Sequence, residues 1–159
     1  MPRMVKSFQT PHQQEVYERI KGYLDDLVDE HFDDAEHCDF YLKYGSTVVE
    51  ISVAPYEEAD DAVIQILAYC VQGVEPNIEL MRDLLEFNSR VQLGAFSMVD
   101  RDVFYSHTFL GRHLQPDQLI ASLDSVATIS DEYDEKIIER HGGETAIDSL
   151  RTIRGAEKR

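Results

Sequence analysis

The sequence is short of cysteine, of cations and of long apolar runs, and each shortage excludes something. Two cysteines, Cys38 and Cys70, are too few for the disulfide framework of a small secreted domain. Both fall in strand-like segments, where they can be neighbours across a sheet as buried thiols. Basic side chains number 15 against 31 acidic ones, a formal charge of −16. Gripping a phosphate backbone takes clustered Lys and Arg, so direct nucleic-acid binding is excluded. A cationic protein or an exposed basic segment is the electrostatic match, and the same charge favours solubility. No apolar run reaches the ~20 residues that span a bilayer, so no membrane association is expected. The start, Met1 to Phe8, lacks the sustained apolar core of a signal peptide. The cytoplasm is the expected compartment.

Catalytic signatures are missing too. Ser106 and His107 are adjacent on a strand-like run and so point to opposite faces, and no nucleophile elbow accompanies them. The acidic run Glu57 to Asp61 lacks the spaced oxygen ligands and central glycine of a calcium loop. His141-Gly142-Gly143 follows a helix-like segment, whereas a phosphate loop precedes one. Asp29 to His37, just before Cys38, gathers carboxylates and two imidazoles, ligand types that suit zinc. Its spacing matches no ligand framework, so a solvated helix exit is the expected reading. No cofactor, metal site or catalytic residue is assigned.

What the sequence has is hydrophobic pattern. Nearly every position from Ala62 to Val71 is apolar, β-branched or aromatic, and Gly73 closes the run. Its β-branched first half predicts a central strand covered on both faces. Upstream, Thr10-Pro11 opens a helix over about residues 11–30, with Val16, Tyr17, Ile20, Leu24, Leu27 and Val28 three or four apart. Phe40, Leu42 and Tyr44 then alternate with polar residues, Gly45-Ser46 supplies a turn, and Val49, Ile51 and Val53 alternate in turn. Asn77 caps a helix whose inner side is expected to carry Ile78, Met81, Leu84, Leu85 and Asn88, broadened by Leu80, Phe87 and Val91. Strands at 95–99 and 103–110 follow, joined at Asp100-Arg101-Asp102. A last long helix from Pro116 stops at Gly142-Gly143, with a short helix expected around 144–154.

The order is α-β-β-β-α-β-β-α, an α+β domain with an antiparallel sheet of about five strands and helices packed on it. Residues 1–10 read as a flexible start, 11–142 as one domain and 143–159 as a short helix and tail. Opposite the helix-packed side of the sheet, alternation places Tyr41, Val48, Leu67, Tyr69 and Phe104, interleaved with Lys43, Glu50, Gln65 and Thr108. Such a mixed aromatic and polar face is typical of an interface. Three readings stand: a helix covers it, a second copy covers it, or a partner occupies it.

This order, together with Asp39-Phe40, Leu42, Gly45-Ser46, Val49, Ile51 and Val53, and then Asn88, Gly94-Ala95-Phe96, Gly111, Leu119, Leu123 and Asp131, resembles the YbjN-like proteins. These share the type III secretion chaperone-like fold, and the resemblance covers roughly residues 12–141. It implies a small acidic bacterial protein of the cytoplasm that forms a homodimer and binds another protein, with no enzymatic activity. Secretion chaperones of this fold wrap an unfolded segment of a client. The expected function is therefore a non-enzymatic dimeric protein-binding module, chaperone-like or regulatory, with an apolar sheet face and an acidic rim. The alternative is a ligand-sensing or metal-binding regulatory domain.

Overall fold

The run Ala62–Val71 becomes most of β4 (Asp61–Val71), a strand in the middle of a six-stranded antiparallel sheet. A computed structural model describes residues 8–44 and 47–148 of the chain. The sheet order is β1-β2-β3-β4-β6-β5, with β1 at Phe32–Asp34, β2 at Asp39–Tyr44, β3 at Thr47–Tyr56, β5 at Ala95–Val99 and β6 at Asp102–Leu110. Three helices, α1 (Pro11–Leu27), α2 (Ile78–Asn88) and α3 (Pro116–His141), complete the order. The turn expected at Gly45-Ser46 lies outside the described residues.

On β4 the even positions Ala62, Ile64, Ile66, Ala68 and Cys70 are buried, while Val63, Leu67 and Tyr69 are half-buried and Gln65 is exposed. The expectation of a strand covered on both faces is therefore corrected. Helices α1, α2 and α3 pack on one face; among the described residues the other face carries none of them, only the short helical turn that begins at Ala146. Between Tyr69 and Val71 the register with β6 slips by a bulge, which brings Cys70 and Val71 into the core in succession.

Helix α1 begins where the sequence places it: Thr10 Oγ1 accepts the Gln13 N–H at 3.1 Å, and Pro11 occupies the first turn. Its stripe Val16, Tyr17, Ile20 and Leu24 is buried, and Tyr17 stacks on Phe40 with ring centroids 4.4 Å apart. The fit to the sheet is close. A Cβ on Gly111 would sit 2.6 Å from Val16 Cγ1 and 3.0 Å from Ile64 Cδ1, so that position requires glycine. Arg19 ties the helix to the end of β6, donating to the Gly111 and Arg112 carbonyls at 3.2 and 2.7 Å. Asp61, expected in a surface charge run, is instead buried: its Oδ1 accepts the Ala62 and Arg112 N–H groups at 2.7 and 2.8 Å.

Helix α3 buries Leu119, Leu123, Val126, Ala127, Tyr133 and Ile137 across the middle of the sheet. Helix α2 lies beside it, with Phe87, Phe96 and Tyr133 in one aromatic cluster at centroid separations of 4.6–6.0 Å. Asn88 locks the helix to β5 through the Phe96 backbone, accepting its N–H at 2.6 Å and donating to its carbonyl at 3.2 Å.

Several expectations are corrected. Leu80 and Leu84 face the core of α2, whereas Ile78, Met81 and Leu85, expected inside, are 74%, 50% and 72% exposed. The helix carries two apolar stripes, 80/84/87 and 78/81/85, and spacing alone does not choose between them. A sixth strand, β1, forms within the segment read as a polar connection, pairing Phe32, Asp33 and Asp34 with Tyr41, Phe40 and Asp39. The two cysteines are not neighbours. The Cys38 carbonyl accepts the Val53 N–H, and Val53 is paired with Ile64, six residues along β4 from Cys70, or about 20 Å at strand rise. Nor is Cys38 in a strand: it takes a left-handed conformation at φ 61° just before β2. The first helix ends at Leu27, short of residue 30.

Candidate functional site: the open sheet face

Strand register assembles the site. Across β2, β3, β4 and β6, Tyr41 stands opposite Glu50, Glu50 opposite Leu67, and Leu67 opposite Ser106. In the next row Tyr69 faces Phe104, their rings 4.7 Å apart and tilted by 58°. Tyr41, Val48, Leu67, Tyr69 and Phe104 thus share the face turned away from α1, α2 and α3, and all five are half-buried.

One hollow lies on this face and a second at the adjoining edge of the sheet. A small cavity of about 310 Å³ is lined by Tyr41, Val48, Glu50, Tyr69, Gln72 and Ala146. A broad open cleft of about 1320 Å³ runs from the end of α1 to the outer half of β2 and shares Tyr41 with the cavity. Strand β1 pairs with Asp39–Tyr41, so among the described residues Leu42–Tyr44 have no strand neighbour on that side. The cleft is walled by Asp25, Asp29 and Glu30 and by Phe32, which is 65% exposed and whose ring lies 6.3 Å from that of Tyr41.

The electrostatics are those of carboxylates pressed into partly apolar surroundings. Burial holds the Glu50 carboxyl above its usual range and the Asp39 charge adds to this, against a Ser52 hydroxyl that donates to Glu50 Oε1 at 3.3 Å. Burial, followed by the charges of Glu50 and Asp39, raises the Tyr41 phenol, and burial with Glu50 and Asp102 raises that of Tyr69. Both phenols therefore remain protonated donors at neutral pH, set among apolar atoms and beside negative charge.

The other polar clusters resolve into local pairs. His31 lies between Asp25, 2.7 Å from its Nε2, and Asp33 at its Nδ1, while His37 Nδ1 meets Asp34 Oδ2 at 2.7 Å. Among the described residues no three His, Cys, Asp or Glu side chains converge as a metal-binding group. Ser106 points to the open face and His107 to the helices, where its ring meets Ser122 Oγ at 3.2 Å. Burial lowers the His107 pKa. No helix among the described residues is long and apolar enough to cross a membrane.

Sequence reasoning missed three contributors. Phe32 was hidden in an acidic segment, although its alternation with Asp33 is a faint strand signal. Gln72 and Ala146 come together only because the chain doubles back after α3. Glycine pairs such as Gly142-Gly143 signal a stop but not the direction taken afterwards.

The architecture is an α+β domain whose helices α1, α2 and α3 share one side of an antiparallel sheet. The chain belongs to the family described as T3SS (YopN, CesT) and YbjN peptide-binding chaperone 1, or TY-Chap1, whose model matches residues 14–149. Among solved structures it is similar to the crystal structure of the ExsC–ExsE complex, with 14% identity and a TM-score of 0.59 over 77% of this chain and 93% of that one. It is also similar to the HopA1–SchA chaperone–effector complex, with 9% identity and a TM-score of 0.55 over 77% and 96% of the respective chains. At these identities the likeness is one of fold. No curated protein sequence matches the chain.

Proposed function

We propose that the protein is a non-enzymatic, chaperone-like or regulatory module that binds a segment of a partner protein on its open sheet face. The observation that carries this reading is the grouping of Tyr41, Val48, Leu67, Tyr69 and Phe104, half-buried on the face turned away from α1, α2 and α3. Aromatic anchors amid polar residues are what interfaces use. Membership of a peptide-binding chaperone family and similarity to a chaperone–effector complex support the same reading. The partner's apolar side chains would pack on Leu67, Tyr69 and Phe104. Its basic residues would meet Glu50 and the acidic cleft wall of Asp25, Asp29 and Glu30.

The module acts as a homodimer in this proposal, and the surface for a second copy is the outer stripe of α2. Ile78, Met81 and Leu85 form an exposed apolar row on α2 beside Arg82, with Arg90 just past the end of the helix and Arg140 paired with Asp83. Two copies of a chain with a charge of −16 repel each other over most of their surface. The α2 side, where Glu86 is paired with Arg90 and Asp83 with Arg140, is close to neutral and permits approach.

Capture of partners from native lysate tests the binding reading, using the full chain beside its Leu67→Asp and Tyr69→Asp variants. The expected result is one protein recovered near stoichiometry, lost in high salt and lost by variants that remain folded by circular dichroism. Equal recovery by folded variants would remove the open face from the site.

A further inference from the structure

The smaller hollow on the open face is built around one carboxylate. In the strand register Glu50 stands between Tyr41 of β2 and Leu67 of β4. Tyr69, two residues past Leu67, and Val48, two residues before Glu50, lie on the same face and line the hollow with it. A further wall comes from the chain's return after α3. There Glu144 pairs with Gln72 as an antiparallel bridge, with N–H to carbonyl distances of 2.8 and 2.9 Å in the two directions. The bridge brings Ala146 and Gln72 beside the two tyrosines, and the six residues line a volume of about 310 Å³. Sites for whole small ligands run from about 300 to 1,000 Å³, so a hollow at the bottom of that range suits one side chain.

The chemistry of this lining is unbalanced. Glu50 is half-buried, and its carboxylate accepts a long, neutral hydrogen bond from the Ser52 hydroxyl at 3.3 Å. The nearby charge that acts on it is the negative one of Asp39. Among the described residues no cation pairs with Glu50, and Lys43, opposite Val48 on β2, is exposed and stands outside the lining. A carboxylate drawn out of water without a cation recovers part of the lost solvation energy when a cation hydrogen-bonds to it. Beside it are Tyr41 and Tyr69, whose ring faces attract cations, and Gln72, whose amide oxygen is an acceptor.

We infer that this hollow receives a single arginine side chain of the partner segment, with its guanidinium on Glu50 and its plane against a tyrosine ring. The inference rests on the binding reading above and adds which residue of the partner is selected. Arginine fits better than lysine for two reasons. A guanidinium is more weakly hydrated than an ammonium, so less is lost on entering a hollow with apolar walls. Its planar fork stacks on an aromatic ring while giving two hydrogen bonds to one carboxylate, and it keeps further N–H groups for Gln72. Apolar neighbours of that arginine would lie on Leu67 and Phe104, the adjoining positions of the face.

The test titrates acetyl-Leu-Arg-Leu-amide into the isotope-labelled full chain and follows the amide chemical shifts, beside peptides with citrulline or lysine in place of the arginine. Citrulline keeps the shape of arginine without its charge. We expect saturable shifts at Tyr41, Glu50, Tyr69 and Gln72, with the arginine peptide bound about tenfold more tightly than the citrulline peptide and more tightly than the lysine one. Glu50→Gln, which keeps the size of the side chain and is checked for folding by circular dichroism, should erase the preference for arginine over citrulline. Tyr69→Leu, which leaves the carboxylate in place, should weaken arginine binding severalfold. Equal binding of the arginine peptide and either counterpart, or no shifts at these four residues, overturns the inference. A preference for arginine that survives Glu50→Gln also overturns it, as mere attraction to a chain of charge −16. None of these results bears on the partner reading, which fails if Leu67→Asp and Tyr69→Asp leave lysate capture unchanged.

Discussion

Asp83 on α2 and His141 at the end of α3 are joined across 58 residues of sequence through one carboxylate oxygen, 2.8 Å from His141 Nε2. The same oxygen is 2.8 Å from Arg140, and both Asp83 and the His141 side chain are almost fully withdrawn from solvent. The His141 hydrogen bond, with help from the Arg140 charge, holds the Asp83 carboxyl below its usual range. A carboxyl whose pKa is depressed by folding stabilises the fold above its unfolded value and loses that contribution as pH falls through the folded one. Asp83→Asn should lower stability at neutral pH by about 1–3 kcal/mol. In urea titrations across pH it should also flatten the acid-side loss of stability below about pH 4.

Parity along β4 gives a second prediction. Ile64→Ala opens a cavity in a fully buried site beneath α1 and should cost about 2–5 kcal/mol. Tyr69→Asp, on a half-buried residue of the open face, should cost less and leave the far-ultraviolet spectrum unchanged. Thermal and denaturant melts of the pair should show this order.

The two stripes of α2 give a third. Leu84 is buried and Leu85 is 72% exposed, so Leu84→Asp should unfold the domain. Leu85→Asp should leave it folded and convert a dimer to a monomer in sedimentation equilibrium. Dimers that survive Leu85→Asp would move the second copy to another surface.

A fourth concerns salt. Partner capture steered by Glu50, Asp25, Asp29 and Glu30 should show an association rate that falls as ionic strength rises, with dissociation changed much less. Stopped-flow or surface-based kinetics at two salt concentrations would measure it.

The position of Gly143 gives a fifth. Gly143→Ala must strain a backbone at φ +88° and press a methyl group into Val71, Val74 and the Gln72 carbonyl. It should destabilise the domain by more than about 1 kcal/mol and detach Glu144 from Gln72, read as faster amide exchange at both residues.

The sheet and the long helices were legible because alternation and helical spacing each report a single buried side. Val49, Ile51 and Val53, or Leu119, Leu123 and Val126, can satisfy their burial in one way only. The candidate face was legible for the same reason, since placing Phe40 and Ile66 inward fixes Tyr41 and Leu67 outward. The α2 orientation was not, because Leu80/Leu84 and Met81/Leu85 are equivalent in spacing and differ only in what packs against them. Phe32 was missed because three strand residues beside acidic neighbours carry almost no periodic signal. The crossing of the chain after Gly143 depends on a backbone fit at Val71 and Val74 that no local pattern encodes.

Site-specific photocrosslinking tests the central claim most directly. A benzophenone amino acid placed at position 69 or 104 on the open face, and at exposed Thr128 on the outer side of α3, would be activated in cells that make the full chain. The account predicts a discrete adduct with a partner protein at 69 and 104 and none at 128. An adduct formed from position 128, with neither open-face position yielding one, would contradict it.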